Sequence, residues 1–555
     1  MYKIVTLEEV ESQLNDSKLL AFDTETDGFY GAIQVAQFHQ EHWNKPLLVK
    51  KPNPYQLAKL LTAQPFVGHM VHYDISTIQE QTGAKWVPKN FDCTFYLSRL
   101  FFYKEQKFSL DDVIRYTLGY DPYDQLGIDK KALQKSKWTD ELTEDQLQYA
   151  ALDVLHLLEV YEYTSSMLED FNYKLDILFT KNCLDFQWNG MPVIESALQK
   201  RYKQNEAEIA AMNMPINVNS YQQVRPYIGS ELSDALGLTI LKLEGNERAA
   251  NVLKTRKIIK ENSFLTKFDT TSGRIYGKFL PSARSGRCTS KDQNLQQIPR
   301  TTKSVFGTEK DSGKVLVYAD YSQLELRGAT VITGELRMDK LYREGVDIHG
   351  HTTARTIRED YNDRDRHVGK TENFNLLYYG SAKMLRSILI KDAEILLPLD
   401  TVQDYKNKWH RLWPTITAWQ QKGVAAWRRQ QAWQTPLGRR YVGNLMTDQL
   451  NIQVSGFGAE VAKLATHYMS QRLDGLTHEE FMLCNFVHDS WVFEADDDPE
   501  VYKPLADVIA ASMQEAWFEC IQSTKIKDLP MPVEVFVGHN WGTIEKDYVE
   551  KLEYE

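Results

Sequence analysis

The chain has 555 residues, of which 42% are hydrophobic, and carries a formal net charge of -11. Its length predicts more than one globular domain, and no apolar run is long enough to span a bilayer, so we expect a soluble protein. The N-terminal residues lack the pattern of a signal peptide, and five scattered cysteines without a CxxC pair argue against a zinc site or a disulfide framework.

The distribution of charge matters more for nucleic-acid binding than the net charge does. Residues 251–303 contain twelve Lys or Arg and three acids, which gives this stretch a charge of +9. Such a stretch could follow a phosphate backbone. An ordinary solvated basic face is the alternative.

The first region, up to about residue 165, opens with the strand candidate LLAFDTET and closes with the helical stretch TEDQLQYAALDVLHLLEVYEY. Strand alternation puts Asp23 and Glu25 on one face. Helical spacing stacks Tyr149 on Asp153, one turn apart. A DxE pair alone is common, and two exposed acids are the alternative interpretation.

Residues from about 175 to 265 are mostly helical by pattern, and the remainder is mixed. The strand candidates KVLVYADYS and CNFVHDSWVFEA each carry an Asp at the end of an apolar run, Asp320 and Asp489. A pair of hard divalent ions held by such carboxylates would neutralise charge during phosphoryl transfer. These two residues are therefore candidate metal ligands.

Between these motifs, Arg366, Lys370, Phe374 and Tyr378 recur at every fourth position. On a helix they form one stripe. Two cations followed by two aromatic rings suit a nucleoside triphosphate, with the charges on the phosphates and a ring on the base. The alternative is an ordinary amphipathic helix with snorkelling Arg and Lys.

The DxE pair, the distant Asp74 and the YxxxD motif, in this order, resemble the proofreading 3'-5' exonuclease domain of DNA polymerases. The resemblance implies a ribonuclease-H-like fold in which Asp23, Glu25, Asp74 and Asp153 hold two divalent ions. It also implies that Tyr149 orients the attacking water. Met70 stands where this family usually has Asn, which is not a metal ligand, and we expect activity to survive.

Further strings occur in the order seen in family A DNA polymerases and span almost the entire chain: ARSGRCTSKDQNLQQIPR, DYSQLELR, DIHGHTTA, the RxxxK stripe, TPLGRR, VHDS and VGHNW. The implied architecture is α/β, with a ribonuclease-H-like exonuclease domain at 1–170 followed by a right-hand polymerase at 171–555. Within the polymerase we expect the thumb at about 175–270, the palm at about 271–340 and 430–555, and the fingers at about 341–429.

By this resemblance Asp320 and Asp489 are the palm metal ligands, the backbone carbonyl of Tyr321 is a further ligand, and Lys370 lies nearest the reacting phosphate. The expected cofactor is Mg²⁺, two ions per active site, with Mn²⁺ as the alternative. The residues expected to contact the dNTP are Gln323, Glu325, His349, Arg366, Lys370, Phe374 and Tyr378. The residues expected to contact DNA are Arg287, Asn294, Gln296, Asn451 and His488.

Two of these assignments carry specificity. Glu325 resembles the steric gate that fills the space of a ribose 2'-hydroxyl, and Phe374 implies discrimination against dideoxynucleotides. Ser490 replaces the Glu that usually follows the motif's Asp, and catalysis is expected to remain. The other departures from the family pattern are Ser285, Tyr379, Thr447 and Ser455.

The predicted function is template-directed DNA synthesis from dNTPs with 3'-5' proofreading. The alternatives are a single-subunit RNA polymerase, a DNA-binding protein with a relic active site, and a nuclease whose larger half only holds DNA. The compact size and the lack of a preceding 5'-nuclease domain indicate a bacteriophage replicative enzyme. We expect a monomer in the cytoplasm, or in the host cytoplasm if viral, that binds primer-template DNA and no membrane; helicase-primase and single-strand binding protein are candidate partners.

Overall fold

The computed structural model describes residues 1–139, 141–268 and 271–554. The chain divides into two compact units. The first unit consists of Met1–Trp188, Phe279–Pro281 and Gly438–Val442; the second consists of Asn189–Lys278, Ser282–Leu437 and Gly443–Glu555. Among the described residues, no helix combines the length and apolar character that a bilayer crossing requires.

The first unit is built on one mixed sheet. Its strands are β1 (Lys3–Ile4), β2 (Leu20–Thr26), β3 (Ile33–His39), β4 (Leu47–Lys50), β5 (Phe66–Gly68) and β6 (Phe91–Cys93). They lie in the order β1-β4-β3-β2-β5-β6. The central strand β2 is antiparallel to β3 and parallel to β5.

Helices cover both faces of this sheet. They are α1 (Leu7–Gln13), α2 (Pro54–Ala63), α3 (His72–Thr82), α4 (Thr94–Phe101), α5 (Leu110–Leu118), α6 (Pro122–Gln125), α7 (Lys130–Lys135), α8 (Glu144–Leu155), α9 (Leu157–Thr164) and α10 (Phe171–Phe186), with a 3-10 turn at Ser165–Met167. Neighbouring residues of β2 point into different cores, Phe22 into one and Ala21 into the other. Strand alternation therefore explains why β2 is almost fully apolar before its acidic end.

A capping box starts α8, the helix that carries the predicted YxxxD motif. The Thr143 side chain accepts a hydrogen bond from the backbone N–H of Gln146, and the Gln146 side chain accepts one from the backbone of Thr143. This pairing satisfies two amide donors that would otherwise be unpaired at the helix start, and so fixes where α8 begins. Tyr149 and Asp153 then fall on one face of α8.

The next elements are helices and short strands, and all lie in the second unit except Phe279–Leu280 of β9, which belong to the first. They are β7 (Met191–Pro192), α11 (Glu195–Met212), α12 (Tyr221–Ile228), α13 (Ala235–Leu243), α14 (Glu247–Leu265), β8 (Arg274–Ile275), β9 (Lys278–Leu280), β10 (Thr289–Lys291) and a 3-10 turn at Lys303–Val305. This part includes the mostly helical stretch that the sequence predicts between about 175 and 265.

The remaining elements comprise the main sheet of the second unit, the helices around it and the separate strand pair β12-β13, of which β13 belongs to the first unit. The strands are β11 (Lys314–Tyr321), β12 (Trp433–Gln434), β13 (Arg440–Tyr441), β14 (Phe481–Val487), β15 (Ser490–Asp496), β16 (Val533–Gly538) and β17 (Glu550–Tyr554). The helices are α15 (Leu324–Thr333), α16 (Leu336–Arg343), α17 (Ile348–Thr356), α18 (Asp363–Leu377), α19 (Ala382–Ala393), α20 (Leu399–Leu412), α21 (Pro414–Arg428), α22 (Met446–Arg472) and α23 (Pro499–Ile521).

The main sheet of the second unit has the order β14-β15-β11-β16-β17. Every neighbouring pair in it is antiparallel. The long helices α22 and α23 pack against each other, and the fully buried Trp491 and Trp517 fill the core between helices and sheet. The central position of β11 fixes its backbone on both sides.

A buried ion pair joins α10 to the segment Gly438–Val442 within the first unit. Asp176 on α10 is 1% exposed and Arg439 is 4% exposed. The guanidinium donates hydrogen bonds of 3.0 and 3.1 Å to the two carboxylate oxygens. Breaking such a pair leaves an uncompensated buried charge.

We expect Asp176→Ala to lower the free energy of unfolding of the first unit by about 3–5 kcal/mol, because Arg439 stays buried without its carboxylate. Urea titration followed by circular dichroism measures this. Asp185→Ala on the same helix is the matched control, since its pair with Lys85 is part-exposed and should cost less than about 1 kcal/mol. Equal effects of the two substitutions would contradict the prediction.

Candidate active sites

The first unit brings three of the four predicted acids around one point. Strand β2 places Asp23 and Glu25 on one face, opposite Gln37 and Val35 of β3. Asp153 comes from α8. One carboxylate oxygen from each acid lies within 4.8 Å of the others. Hard divalent cations prefer oxygen ligands of this kind, so the donor set fits metal ions.

Asp74, the fourth predicted acid, lies in the first turn of α3. The Thr24 hydroxyl donates a 2.6 Å hydrogen bond to Asp74 Oδ1. Burial raises the pKa of Asp74 to about 7, although hydrogen bonds oppose the rise. Its charge raises the pKa of Asp23 and of Glu25. Asp74 therefore belongs to the same electrostatic cluster, although its oxygens lie outside the tight group of three.

The electrostatics of this cluster favour bound cations. Burial raises the pKa of Asp23 and of Glu25 well above the usual range, and the neighbouring carboxylates raise both further. The Lys130 ammonium acts in the opposite direction on Asp23, Glu25 and Asp153. Ionised acids at this spacing repel one another unless positive charge lies between them.

Tyr149 is buried beside the acids. Its ring centroid lies 5.8 Å from that of Tyr123 and 6.0 Å from that of Trp138. The Tyr123 hydroxyl donates a short hydrogen bond to Asp153 Oδ1. Tyr123 and Lys130 are site residues that the sequence analysis missed, because α6 and α7 are too short to give a periodic signal.

Met70 precedes α3 and has a φ of 58°. This is the left-handed region, which β-carbon sterics disfavour for most residues but which Asn tolerates. The geometry explains why Asn suits the position. Met70 adopts this disfavoured backbone conformation, and its carbonyl accepts a 2.8 Å hydrogen bond from the Tyr73 N–H.

The second unit places Asp320 and Asp489 side by side. Asp320 is the next-to-last residue of β11, and the register pairs it with Ser490 of β15. Asp489 lies in the turn between β14 and β15, which the Val487 and Ser490 pair closes. His488 in this turn has a φ of 58°. The hairpin thus brings together two aspartates that are remote in the sequence.

Burial raises the pKa of Asp320 well above its usual range, and the charges of Asp489 and Glu545 raise it further. Burial raises the pKa of Asp489 to about 6; Glu325 adds to the rise and Arg287 opposes it. Like the first cluster, this pair of acids fits divalent cations.

Glu545 and Lys303 are two charged residues near Asp320 that the sequence analysis did not select. The charge of Glu545 raises the pKa of Asp320. Burial lowers the pKa of Lys303, and the charges of Glu545 and Asp320 oppose this. The Lys303 ammonium lies 4.2 Å from the centroid of the Trp541 ring. Ser490, which replaces a family Glu, instead donates a 3.0 Å hydrogen bond to the Val487 carbonyl within the hairpin.

Glu325, on the first turn of α15, is hydrogen-bonded to two other predicted residues. The Tyr378 hydroxyl donates a 2.8 Å hydrogen bond to Glu325 Oε2. The Arg287 guanidinium donates a short hydrogen bond to Glu325 Oε1. Because both carboxylate oxygens are occupied, the Glu325 side chain is held in one orientation.

Helix α18 carries most of the predicted stripe. The Asn362 side chain caps its first turn by accepting a hydrogen bond from the Asp365 N–H. Arg366 makes two hydrogen bonds to Asp347, of 2.6 and 3.0 Å. Lys370 is exposed one turn further along.

Tyr378 is the C-cap of α18 and not a residue of the helix. The next residue, Tyr379, has a φ of 63°, a conformation that ends the helix and favours glycine. The predicted stripe therefore consists of three residues on the helix and one at its end. The same φ explains why Gly suits position 379 in the family.

His349 on α17 lies under this helix. Its ring centroid is 5.8 Å from that of Phe374, and its Nδ1 is 3.1 Å from the Asn373 amide nitrogen. Burial lowers the pKa of His349 to about 4. The imidazole is therefore neutral at pH 7.

The predicted DNA-contacting residues near the hairpin make local contacts. The Gln296 amide donates a 3.0 Å hydrogen bond to the Phe486 carbonyl. The Asn294 side chain accepts one of 3.2 Å from the Gln296 N–H. These bonds hold the QNLQQ segment against β14.

Two further predicted residues also have protein partners. The Asn451 side chain on α22 accepts a 3.0 Å hydrogen bond from the Ser455 hydroxyl. Gln323 has a φ of 57° and accepts a 3.2 Å hydrogen bond from the Tyr342 hydroxyl. Tyr321 is buried, and its hydroxyl donates a 2.6 Å hydrogen bond to the Met513 carbonyl, away from Asp320.

The two units, one with an exonuclease-type acid cluster and one with a paired-aspartate hairpin, are those of a nucleic-acid-synthesising enzyme with an added nuclease domain. The family model described as DNA polymerase family A matches residues 190–543, and the model described as 3'-5' exonuclease matches residues 1–169. The first match covers more than half of the chain, and the chain belongs to DNA polymerase family A. The predicted family, fold class and enzyme class are confirmed.

Curated relatives are bacterial. The chain is 25% identical to DNA polymerase I of Aquifex aeolicus over 96% of this chain and 98% of the relative. It is 29% identical to the thermostable DNA polymerase I of Thermus aquaticus over 60% of this chain and 43% of that protein. The chain thus spans nearly the whole Aquifex protein but less than half of the Thermus protein.

A solved structure has a similar fold. The POL domain of Pol1 from M. smegmatis, in complex with DNA primer-template and dNTP, matches with a TM-score of 0.76 and 17% identity. The match covers 98% of this chain and 100% of that chain. At this identity the likeness concerns the fold alone.

Proposed function

We propose that this chain extends a DNA primer along a DNA template from dNTPs and trims mispaired 3' ends in its N-terminal domain. The observation that carries the proposal is the presence of two separate carboxylate sets, in which Asp74 and Asp153 are buried and the other acids are half-buried. Asp320 and Asp489 lie in the region matched by the polymerase family, and the Asp23 cluster lies in the region matched by the exonuclease family. The substrates named for the M. smegmatis structure support the same substrate classes here.

In the polymerase site, Asp320 and Asp489, with the carbonyl of Tyr321, would hold two Mg²⁺ ions, or Mn²⁺ as the alternative. Such ions neutralise charge on the attacking and leaving oxygens. The primer 3'-hydroxyl would lose its proton to solvent and its oxygen would attack the α phosphate in line, breaking the bond between the α and β phosphates and releasing pyrophosphate; positioning supplies much of the catalysis. Lys370 lies nearest the phosphate that reacts.

The triphosphate binds along α18. Arg366 already holds Asp347 through two hydrogen bonds, and a guanidinium makes the same paired contact with phosphate. An incoming triphosphate therefore competes with Asp347 for Arg366. Movement of α18 upon this exchange would couple nucleotide binding to assembly of the site.

Sugar and base selection use the residues around Glu325. Glu325 would fill the space of a ribose 2'-hydroxyl, and hydrogen bonds from Tyr378 and Arg287 orient its carboxylate. Phe374, whose ring packs on His349, would discriminate against dideoxynucleotides.

The DNA itself would be contacted by Arg287, Asn294, Gln296, Asn451 and His488. Contacts in the minor groove test the shape of a pair without reading a sequence, because an acceptor occurs there on every correct pair. Gln323 completes the proposed nucleotide site.

In the exonuclease site, Asp23, Glu25, Asp74 and Asp153 would hold two divalent ions, and Tyr149 would orient the water that attacks the terminal phosphodiester. The burial of Tyr149 and its place one turn from Asp153 support this role.

The finer assignments remain proposals. These are the exonuclease domain at 1–170, the polymerase at 171–555 and its thumb, palm and fingers, together with a monomeric state, replisome partners and a cytoplasmic location. The bacteriophage origin expected from the sequence has no support among the relatives named above, which are bacterial, and it stays a prediction.

Asp489→Ala should lower primer extension by about a thousandfold, equivalent to about 4 kcal/mol of barrier, because one of the two carboxylate ligands of the metal ions is lost. Degradation of single strands should continue at the parent rate. Gel-based primer extension and degradation of a labelled oligonucleotide measure the two. Asp497→Ala, an exposed acid just beyond the same hairpin, is the control, and extension retained by Asp489→Ala would defeat the assignment.

Asp23→Ala combined with Glu25→Ala should have the reverse effect, because the exonuclease cluster loses two of its ligands. Trimming of a 3'-mismatched primer should fall by at least about a hundredfold while extension of a matched primer is kept. Asp27→Ala, exposed just after the same strand, controls for local damage. A double variant that still trims mismatched ends refutes the site.

Glu325→Ala should ease ribonucleotide incorporation by about tenfold to a hundredfold, because the space for the 2'-hydroxyl opens. Tyr378→Phe removes only the hydrogen bond that orients Glu325, and it should give a smaller change in the same direction. The ratio of kcat/KM for dNTP and rNTP measures both. Unchanged sugar selectivity in Glu325→Ala would place the gate elsewhere, and a preference of the parent chain for rNTPs would favour the RNA polymerase alternative.

A further inference from the structure

Two helices of the first unit contact each other through matched pairs of residues. On α8, Tyr149 and Asp153 are one turn apart, and on α7, Lys130 and Gln134 are one turn apart. The Lys130 ammonium lies 3.9 Å from Asp153 Oδ1. The Gln134 amide nitrogen lies 3.5 Å from the Tyr149 hydroxyl oxygen. Each residue of the YxxxD motif therefore has a polar neighbour on α7.

The Lys130 side chain is enclosed by charged and aromatic groups. It is 13% exposed, and its ammonium lies 3.3 Å from Asp111 Oδ1. The same ammonium lies 4.5 Å from the ring centroid of Tyr123 and 5.6 Å from that of Tyr149. Because these groups enclose the long Lys130 side chain on several sides, they fix the position of its charge.

Asp111 is not balanced by Lys130 alone, so the Lys130 charge can also act on other acids. Arg115 on α5 also contacts Asp111, at 3.3 Å, so this carboxylate has a second cation. Lys130 acts electrostatically on Asp23, Glu25 and Asp153, the three residues whose oxygens form the tight group. Lys130 also lines a cavity of about 710 Å³.

In the proposed exonuclease reaction, the Lys130 ammonium can offset a negative charge that the metal ions do not neutralise. Four carboxylates and two divalent ions carry no net charge together. The phosphodiester of the substrate then adds one negative charge in a site of low dielectric, where it is poorly screened. A fixed protein cation beside Asp153 offsets that charge.

We propose that Lys130 is a positioning residue of the exonuclease site, which holds Asp153 and the Tyr149 ring in place and offsets the charge of the bound phosphodiester. The proposal rests on the proposed exonuclease function. Lys130 acts through Asp153 and Tyr149 and through its field, and it forms no bond with the reacting atoms. In the absence of substrate, its ammonium would compete with a divalent ion for Asp153.

The test compares Lys130→Met, which removes the charge, with Lys130→Arg, which keeps it. With Mg²⁺ and a single-stranded oligonucleotide, Lys130→Met should lower kcat for degradation by about tenfold to a hundredfold, because misplaced catalytic groups cost about that much. KM for the oligonucleotide should change little, and Lys130→Arg should recover part of the loss. Lys135→Met, an exposed lysine in the last turn of α7, should match the parent chain.

Metal binding gives a second readout that does not depend on activity. In a background with Asp320→Ala and Asp489→Ala, Mn²⁺ binding to the first unit can be followed by electron paramagnetic resonance. Lys130→Met should bind Mn²⁺ up to about tenfold more tightly, because a competing cation a few ångströms from Asp153 is gone. A purely structural lysine would instead lower Mn²⁺ affinity together with the melting temperature.

Unchanged kcat in Lys130→Met, or joint loss of Mn²⁺ affinity and melting temperature, would overturn the proposal. If Lys130→Met does not fold, Lys130→Gln, which can still hydrogen-bond to Asp111, replaces it and is measured with the same two readouts. The Asp23→Ala, Glu25→Ala variant distinguishes failure of the proposed exonuclease function from failure of the proposed role of Lys130. If that variant still degrades DNA, the exonuclease site itself is wrong; if it is inactive while Lys130→Met is normal, only the role of Lys130 fails.

Discussion

The close packing of like-charged carboxylates in buried and half-buried positions is the constraint on which the organisation of both units depends. An isolated ionised carboxylate is expensive to bury, and several together repel one another. Burial accordingly raises the pKa of Asp23 and of Asp320 well above the usual range. Such clusters do not stabilise the fold. Their presence is explained by the cations and phosphates that they are arranged to bind.

Both clusters are built in the same way on different sheets. One acid comes from a central strand, Asp23 on β2 between β3 and β5, and Asp320 on β11 between β15 and β16. Hydrogen bonds on both sides fix the backbone of such a strand. The partner acid then comes from a neighbouring element, Asp153 from α8 and Asp489 from the hairpin turn. A rigid strand and a docked neighbour hold ligands at the spacing that paired cations need.

The parts of these sites that follow from local geometry were predictable from the sequence. Strand alternation put Asp23 and Glu25 on one face, and helical spacing joined Tyr149 to Asp153, since both periods are fixed by the backbone. Contacts between distant residues have no such signal. The pairing of Arg366 with Asp347, and the approach of Lys130 to Asp153, depend on how helices pack. Backbone angles were hidden as well: the positive φ of Met70 and of Tyr379 explains why the family prefers Asn and Gly there.

The hydrogen bond between Arg287 and Glu325 links two residues of the proposed polymerase site to the charge on Asp489. Glu325 raises the pKa of Asp489, Arg287 lowers it, and these two residues are hydrogen-bonded to each other. While that hydrogen bond is present, the opposing effects of Glu325 and Arg287 on the pKa of Asp489 partly cancel. If a mispaired end drew Arg287 away, the Glu325 carboxylate would lose its cationic partner and disfavour the ionised form of Asp489. Because a metal ligand must be ionised to bind, a base pair that leaves Arg287 bonded to Glu325 would favour metal binding in the proposed polymerase site.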